Sequence, residues 1–173
     1  MKIRKRADSI ADGVKTILTN DPSFTAWGWS VISFDGTVIS TGCIKTEPEH
    51  KKLRIRKGDD NVRRINEIAS TLNNIMNEYN VNYVLSELPH GSQNANAATM
   101  IGAVIGILES ICVVKGLGVE WYAESDSKKM LLGKEAATKT EMVDAILRKF
   151  PKLKISNTKY IREAVADSLA IYV

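Results

Sequence analysis

The sequence has little of what disulfide-stapled, membrane-spanning or repetitive proteins need. Its 173 residues include two cysteines, Cys43 and Cys112, which lie far apart and outside any CxxC or Cys/His spacing. We expect them to be small buried side chains in a reducing compartment, not a disulfide or a metal site. The longest apolar run, 101–114, is interrupted by Glu109 and Ser110, so no membrane span is expected. Internal repeats and low-complexity segments are also absent from the sequence.

The N-terminal residues 1–6 are basic and are not followed by an apolar stretch, so no secretory signal is expected. These absences together predict a cytoplasmic protein. Apolar residues make up 44% of the chain and charged residues 25%, the balance of a globular domain. The length predicts one domain over residues 14–173, preceded by a basic extension, 1–13, that is a candidate phosphate-contacting arm.

Charge is distributed unevenly along the chain. Residues 65–127 contain one basic residue against seven acidic ones, whereas 45–64 and 125–154 each contain eight Lys or Arg against four Asp or Glu. Such blocks are typical of faces that meet a polyanion, although solvated loops and helices fit the same pattern. Arg54, Arg56 and Lys134 lie in these blocks and are candidate DNA contacts.

The hydrophobic pattern predicts an α/β protein with a mixed five-stranded sheet flanked by helices. An Asp35-Gly36 turn joins two of the first three strands, which therefore form an antiparallel meander. Strands then alternate with helices, and a polar loop is expected over 45–60. The predicted strands are 14–19, 26–33, 37–44, 83–88 and 119–122, and the predicted helices are 62–79, 93–115, 125–132, 138–150 and 160–173.

Two details of this pattern carry further expectations. The helix 93–115 is rich in alanine and glycine, which let another backbone come close, so it packs on a sheet or on a twin of itself. Asn20 occupies a strand position where an apolar residue is usual, and it needs a hydrogen-bond partner if it is buried.

Acidic residues stand at three positions where a buried apolar residue would be expected. Asp21 ends the first strand, Glu87 ends the fourth, and Asp167 lies within the apolar last helix. Glu163 precedes Asp167 by four residues and so shares its helix face. Each acid alone has an ordinary explanation, since Asp before Pro22 forms turns and a helix can carry a wet acidic face.

Convergence of these carboxylates would favour a site for hard divalent cations, because packed carboxylates need compensation. Mg²⁺ suits oxygen ligands, and two ions ~4 Å apart could activate water for phosphodiester hydrolysis. The predicted ligands are Asp21, Glu87, Glu163 and Asp167.

Three segments resemble the RuvC-type Holliday junction resolvases, within the RNase H-like superfamily. The segment 21–29, DPSFTAWGW, is similar to the family's opening strand-turn-strand. Leu85-Ser86-Glu87 before a small-residue helix resembles the family's second acidic position and dimer helix. The segment 166–170, ADSLA, is similar to its closing motif. The order and spacing of these segments agree over nearly the whole chain.

The resemblance implies an RNase H-like fold, a homodimer through helix 93–115, and Mg²⁺ or Mn²⁺ dependence, with two ions in each active site. It implies paired nicking of four-way junctions and other branched DNA that leaves 5′-phosphate and 3′-hydroxyl ends. Lys139, and Lys128 or Lys129, resemble the family's basic residues near the scissile phosphate.

The chain departs from the family pattern at two places. The family's fourth carboxylate commonly lies three residues before the last, where this chain has Ala164, and Glu163 is the expected substitute. An aromatic residue often follows the second acid, where this chain has Leu88-Pro89-His90; His90 either stacks on a base or belongs to a loop shaped by Pro89.

Three other functions fit parts of the pattern. An RNase H-like nuclease acting on RNA or RNA–DNA hybrids would share the acids, and only the small-residue helix argues against it. An actin-like nucleotide binder also opens with an acidic residue before a hairpin, but it needs a second lobe for which 173 residues leave no room. A non-catalytic junction-binding protein is opposed by the presence of Asp21, Glu87 and Asp167.

Overall fold

The computed structural model describes residues 16–173, in which helices cover both faces of a single sheet. The five strands run in the order β3-β2-β1-β4-β5. The elements are β1 (Thr16–Asp21), β2 (Ala26–Ser33), β3 (Val38–Lys45), α1 (His50–Leu53), α2 (Lys57–Glu78), β4 (Tyr83–Glu87), α3 (Ala95–Lys115), β5 (Gly118–Tyr122), α4 (Glu124–Leu132), α5 (Lys139–Lys149) and α6 (Lys159–Ala170).

The predicted mixed sheet is confirmed. β1, β2 and β3 form the antiparallel meander, and β4 and β5 add to β1 in parallel. Because side chains alternate along a strand, Leu18 and Val84 face the core formed with α2 and α3. Ile17 and Leu85 face the opposite side, where α6 lies.

The observed elements differ from the sequence prediction mainly at their ends. β1 continues two residues beyond Thr19 to Asp21, and Val14 and the basic extension 1–13 lie outside the described residues. The segment 45–60 was wrongly predicted to be all loop, since it contains α1 and the first turn of α2. Asp60 in that turn accepts a hydrogen bond from the Glu49 backbone N–H at 2.9 Å, and an acid there also suits the helix dipole.

Asn20 is fully buried and has the partners that such a position requires. Its side-chain oxygen accepts a hydrogen bond from Trp27 Nε1 at 3.1 Å, and its amide donates to the Leu85 carbonyl at 3.4 Å. The amide therefore ties β1 to β2 and to β4 one residue before Asp21. The expectation that this residue needs a partner is confirmed.

The predicted helix 93–115 is confirmed as α3, but most of its surface is uncovered. Val104, Leu108 and Cys112 are its buried residues. Among the described residues, α3 is the helix long and apolar enough, by length and composition alone, to cross a membrane. Glu109 was expected to interrupt the apolar run, but its carboxylate turns aside to accept a hydrogen bond from Trp121 Nε1 at 2.6 Å.

Candidate active site at the carboxyl edge of the sheet

Asp21 and Glu87 lie side by side at the carboxyl ends of two parallel neighbours. The β1–β4 register pairs Asn20 with Ser86, and the two acids follow one residue later on each strand. Both continue the alternation set by Ile17 and Leu85, so both point to the face that α6 covers. The strand pattern therefore brings together two acids that are 66 residues apart in sequence.

Gly28 lets α6 lie close enough for Asp167 to join them. Gly28 is the β2 partner of Asp21, and a Cβ built on it would lie 2.0 Å from the Ala164 carbonyl oxygen. That separation leaves no space for any side chain, so only glycine permits this approach. A buried hydrogen bond of 2.7 Å between the Ser30 and Ser168 hydroxyls fixes α6 on β2 beside Asp167.

The three acids repel one another in a poorly hydrated place. Burial, reinforced by the charges of Asp167 and Glu87, raises the pKa of Asp21 well above its usual range. Burial and the Asp167 charge likewise raise the pKa of Glu87 to about 7. The pKa of Asp167 is raised by burial despite an adjacent lysine. The cluster is therefore short of positive charge.

Lys139 supplies the nearest positive charge. The Thr138 hydroxyl accepts a hydrogen bond from the Glu141 backbone N–H, and the Glu141 carboxylate accepts one from the Thr138 backbone N–H. The predicted capping box is therefore confirmed. This cap starts α5 at Lys139, whose ammonium donates to Asp167 Oδ2. Burial alone would lower the pKa of Lys139, but the charge and hydrogen bond of Asp167, together with the charges of Asp21 and Glu124, raise it.

Glu124 is an acid of this site that sequence reasoning missed. It follows β5 and accepts hydrogen bonds from Lys128 Nζ at 2.6 Å and His90 Nε2 at 3.1 Å. The Lys128 bond lowers the pKa of Glu124, while the Glu124 charge raises the pKa of Glu87 and of Asp21. Its position at the end of a strand parallel to β4 was the available signal, since such ends share one edge.

Glu163 lies at the margin of the cluster. Its carboxylate is 4.0 Å from Lys159 Nζ, and its charge raises the pKa of Asp167 less than that of Glu124 does. Ala164, where a family fourth acid would stand, is buried against Gly28.

The remaining predicted DNA contacts are dispersed. Lys128 and His90 lie beside the site, where each contacts the Glu124 carboxylate. Lys129 instead pairs with Glu135, and Lys134 pairs with Glu141. Arg54 and Arg56 are exposed on the segment before α2, and Arg56 pairs with Asp59.

The donor chemistry of the cluster fits a hard divalent cation. Carboxylate oxygens are its ligands, and the raised pKa values of Asp21 and Glu87 are the expected consequence of burying acids close together with one lysine. Within residues 16–173, no three acidic, histidine or cysteine side chains lie in a geometry that would hold a metal ion as they stand. Lys139, bound to Asp167, would have to share or give up that carboxylate.

Comparison with known proteins points to one family. A family model described as crossover junction endodeoxyribonuclease RuvC matches residues 17–173. The chain is 25% identical over 158 residues to the protein of that name from Parvibaculum lavamentivorans, covering 91% of this chain and 84% of the relative. It is 26% identical over 160 residues to that of Protochlamydia amoebophila, covering 91% and 88%.

Solved structures agree on the fold. The chain is similar to T. thermophilus RuvC in complex with a Holliday junction substrate, with a TM-score of 0.71 and 18% identity, over 91% of this chain and 94% of that one. It is also similar to Ydc2, the yeast mitochondrial Holliday junction resolvase, with a TM-score of 0.58 and 13% identity, over 95% and 78%. The fold is RNase H-like, as the sequence resemblance implied.

Proposed function

This chain belongs to the RuvC family of crossover junction endodeoxyribonucleases, and from that premise we propose that it resolves four-way DNA junctions. The reaction is metal-dependent hydrolysis of phosphodiester bonds that leaves 5′-phosphate and 3′-hydroxyl ends. The observation that carries this proposal is the meeting of Asp21, Glu87 and Asp167 at one edge of the sheet. Burying acids without enough counter-charge costs folding free energy, and such clusters are typical of functional sites.

We propose that Asp21, Glu87 and Asp167 hold Mg²⁺, or Mn²⁺ in its place, with Glu163 or Glu124 as the fourth carboxylate. When two ions are bound, they supply an activated water and steady the leaving oxygen of an in-line displacement. Lys139 holds the Asp167 carboxylate in place and offers positive charge to a phosphate. Lys128, paired with Glu124, lies at the rim where a second phosphate would pass.

We also propose that two copies pair through α3. Val113 is 73% exposed, and Gly102 and Gly106 on the same helix face have open space around the position of a side chain. A face that combines an exposed valine with two glycines can receive a second helix at short range. Two copies would present two acidic clusters to one junction, which is the arrangement that paired nicking requires.

Cleavage assays on a panel of substrates test the nuclease proposal. Four-way, three-way and flap DNA, linear duplex and an RNA–DNA hybrid are incubated with Mg²⁺, Mn²⁺ or EDTA, and the nicks are mapped. We expect symmetric nicks in the four-way junction with either metal and none with EDTA. Equal cutting of the hybrid would favour an RNA-directed nuclease instead.

Two variants separate chemistry from binding. Asp21→Asn and Glu87→Gln should abolish cleavage while leaving junction affinity largely intact, because phosphate contacts elsewhere position the DNA. Gel-shift assays in EDTA measure the affinity. Full activity in either variant would remove that residue from the site, and absence of cleavage by the wild type under every condition would leave only a junction-binding protein.

A further inference from the structure

A groove follows the outer edge of β3 at the end of the sheet remote from the acidic cluster. One wall is formed by residues 36–41 and the other by residues 149–154, and the space between them is about 660 Å³. Consecutive residues of a strand point to opposite faces, so a groove lined by all of them runs along the strand's edge. Val38 pairs with Ile32 at this end, whereas Asp21 and Gly28 pair at the other.

The groove offers an unused strand edge. β3 is the terminal strand of the sheet and pairs with β2 on one side only, so alternate backbone N–H and C=O groups face outward with no neighbouring strand in the described chain. Such an edge is a template for an added strand. A partner that fills it must supply hydrogen-bond donors as well as acceptors.

The side chains around the groove combine apolar surface with unbalanced positive charge. Val38, Phe150 and Leu153 form the apolar part, and Ile39 beside them is 47% exposed. The basic part consists of Lys149, Lys152 and Lys154, none of which takes part in an ion pair among residues 16–173. The sequence holds no acidic residue between Asp144 and Glu163 to compensate them.

We propose that this groove binds an extended segment of a partner protein, in which acidic and apolar side chains alternate, as an added strand on β3. The peptide backbone supplies both the donors and the acceptors that the strand edge needs. Its apolar side chains would contact Val38 and Leu153, and its carboxylates would meet the three lysines. A DNA backbone supplies acceptors alone and would leave the β3 carbonyls unpaired.

The position of the groove also favours a protein partner over the DNA that is cut. α5 begins at Lys139 beside Asp167 and ends at Lys149 on the groove, and its eleven residues span about 16 Å. A partner bound in the groove therefore leaves the acidic cluster open. The groove is thus independent of the proposed nuclease site.

Binding of designed peptides tests the proposal. The probe is a fluorescein-labelled ten-residue peptide of alternating Glu and Val, compared by anisotropy with a Lys–Val peptide and with the Glu–Val peptide N-methylated at alternate residues. We expect the Glu–Val peptide to bind, and both comparison peptides to bind at least about tenfold more weakly. When the Glu–Val peptide is added, the amide chemical shifts of the protein should change at residues 37–41 and 149–154.

Charge-reversed variants locate the site. The variant K149E/K152E/K154E should bind the Glu–Val peptide about tenfold more weakly, since three exposed ion pairs together contribute on that order. The matched variant K51E/K52E/K57E should bind it like the wild type. Both should have native circular dichroism, and the groove variant should bind and cleave junction DNA normally.

Any of four results would overturn the proposal. The first is the absence of Glu–Val binding up to 1 mM, and the second is equal binding of the N-methylated peptide. The third is equal binding of the Glu–Val peptide by the groove variant. The fourth is loss of junction binding in the groove variant alone, which would assign the three lysines to DNA. These readouts do not depend on cleavage, so failure of the nuclease proposal would not affect them.

Discussion

α3 and α6 show that hydrophobicity and burial need not go together. α3 has 21 residues, is highly apolar, and buries Val104, Leu108 and Cys112. α6 has 12 residues and buries every one from Ala164 to Ala170, Asp167 among them. The helix that buries a carboxylate is thus the one enclosed by the fold, and the more apolar helix is the one with most of its surface exposed.

The difference identifies two kinds of function. We propose that the carboxylate enclosed in α6 at the cost of desolvation is maintained for chemistry. An apolar helix face left in water, as in α3, is maintained for a partner, which we propose to be a second copy of the chain. The following variants alter either the acidic cluster that α6 completes or the exposed face of α3.

The largest effect on stability and cleavage should come from displacing α6 from the sheet. Gly28→Val would drive a side chain into the Ala164 carbonyl, and overpacking of this kind costs about 1–3 kcal/mol in the free energy of unfolding. Asp167 would also move away from Asp21, so cleavage should fall at least ~10²-fold, the usual loss when an electrostatic group leaves an active site.

Chemical denaturation and junction cleavage measure the two losses. Gly58→Val is the matched control, since Gly58 lies in α2 with open space around its side-chain position. Wild-type cleavage by Gly28→Val would contradict the seating of α6 described above.

The next effect concerns α3. Gly102→Leu has room in the single chain, and it should leave monomer stability unchanged or raised by up to ~1 kcal/mol because leucine favours helix over glycine. Against a twin helix the same side chain would clash, and the dimer dissociation constant should rise at least ~10-fold. Analytical ultracentrifugation with Gly58→Leu as control measures this, and an unaltered dimer would place the interface elsewhere.

A smaller effect should distinguish the candidates for the fourth carboxylate. The Glu124 charge raises the pKa of Asp21, Glu87 and Asp167. Glu124→Gln should therefore slow cleavage ~10-fold and raise the Mg²⁺ concentration needed for half-maximal cleavage. Glu163→Gln should have the weaker effect. Mg²⁺ titrations of the cleavage rate compare the two variants, and the reverse order would assign the role to Glu163 and so to α6.

The smallest effect is a dependence of stability on pH. The pKa of Glu87 is about 7 in the folded protein against 4.5 for the free side chain, because of burial and the Asp167 charge. Between these values the folded state holds a proton that the unfolded state has lost, so stability falls as the pH rises from about 4.5 to about 7 and then levels off.

In EDTA, the midpoint of thermal unfolding should therefore fall by a few degrees from pH 5 to pH 8. Glu87→Gln should flatten this decline, while Glu135→Gln on the exposed surface should not. Mg²⁺ should restore stability at pH 8, since a ligand of the native state stabilises it. An identical decline in the wild type and Glu87→Gln would mean that this carboxyl group is not the source.

Much of the fold followed from local patterns. The Asp35-Gly36 turn predicted the hairpin, and strand alternation predicted β2 with its observed bounds, Ala26–Ser33. The capping box at Thr138 predicted where α5 begins. The error at 45–60 arose because the contact that holds the first turn of α2, between Asp60 and the Glu49 backbone, follows neither a helical nor a strand period.

The candidate site was predictable only in part. Asp21, Glu87 and Asp167 could be named because each interrupts an apolar pattern at a strand end or within a helix. Glu124 interrupts no such pattern at the start of α4, and only the β4–β5 pairing brings it to the same edge.

By itself the sequence determined most of the elements, their order and three of the acids, since these depend on spacing and on residue type. The tertiary structure alone decided that the Ala164 backbone packs against Gly28. It also placed Lys139 on Asp167 and left Glu163 at the margin of the acidic cluster. It also decided that most of α3 stays exposed while α6 is enclosed. The physical reason is that packing distances and shared burial arise between elements far apart in sequence, and no local pattern records them.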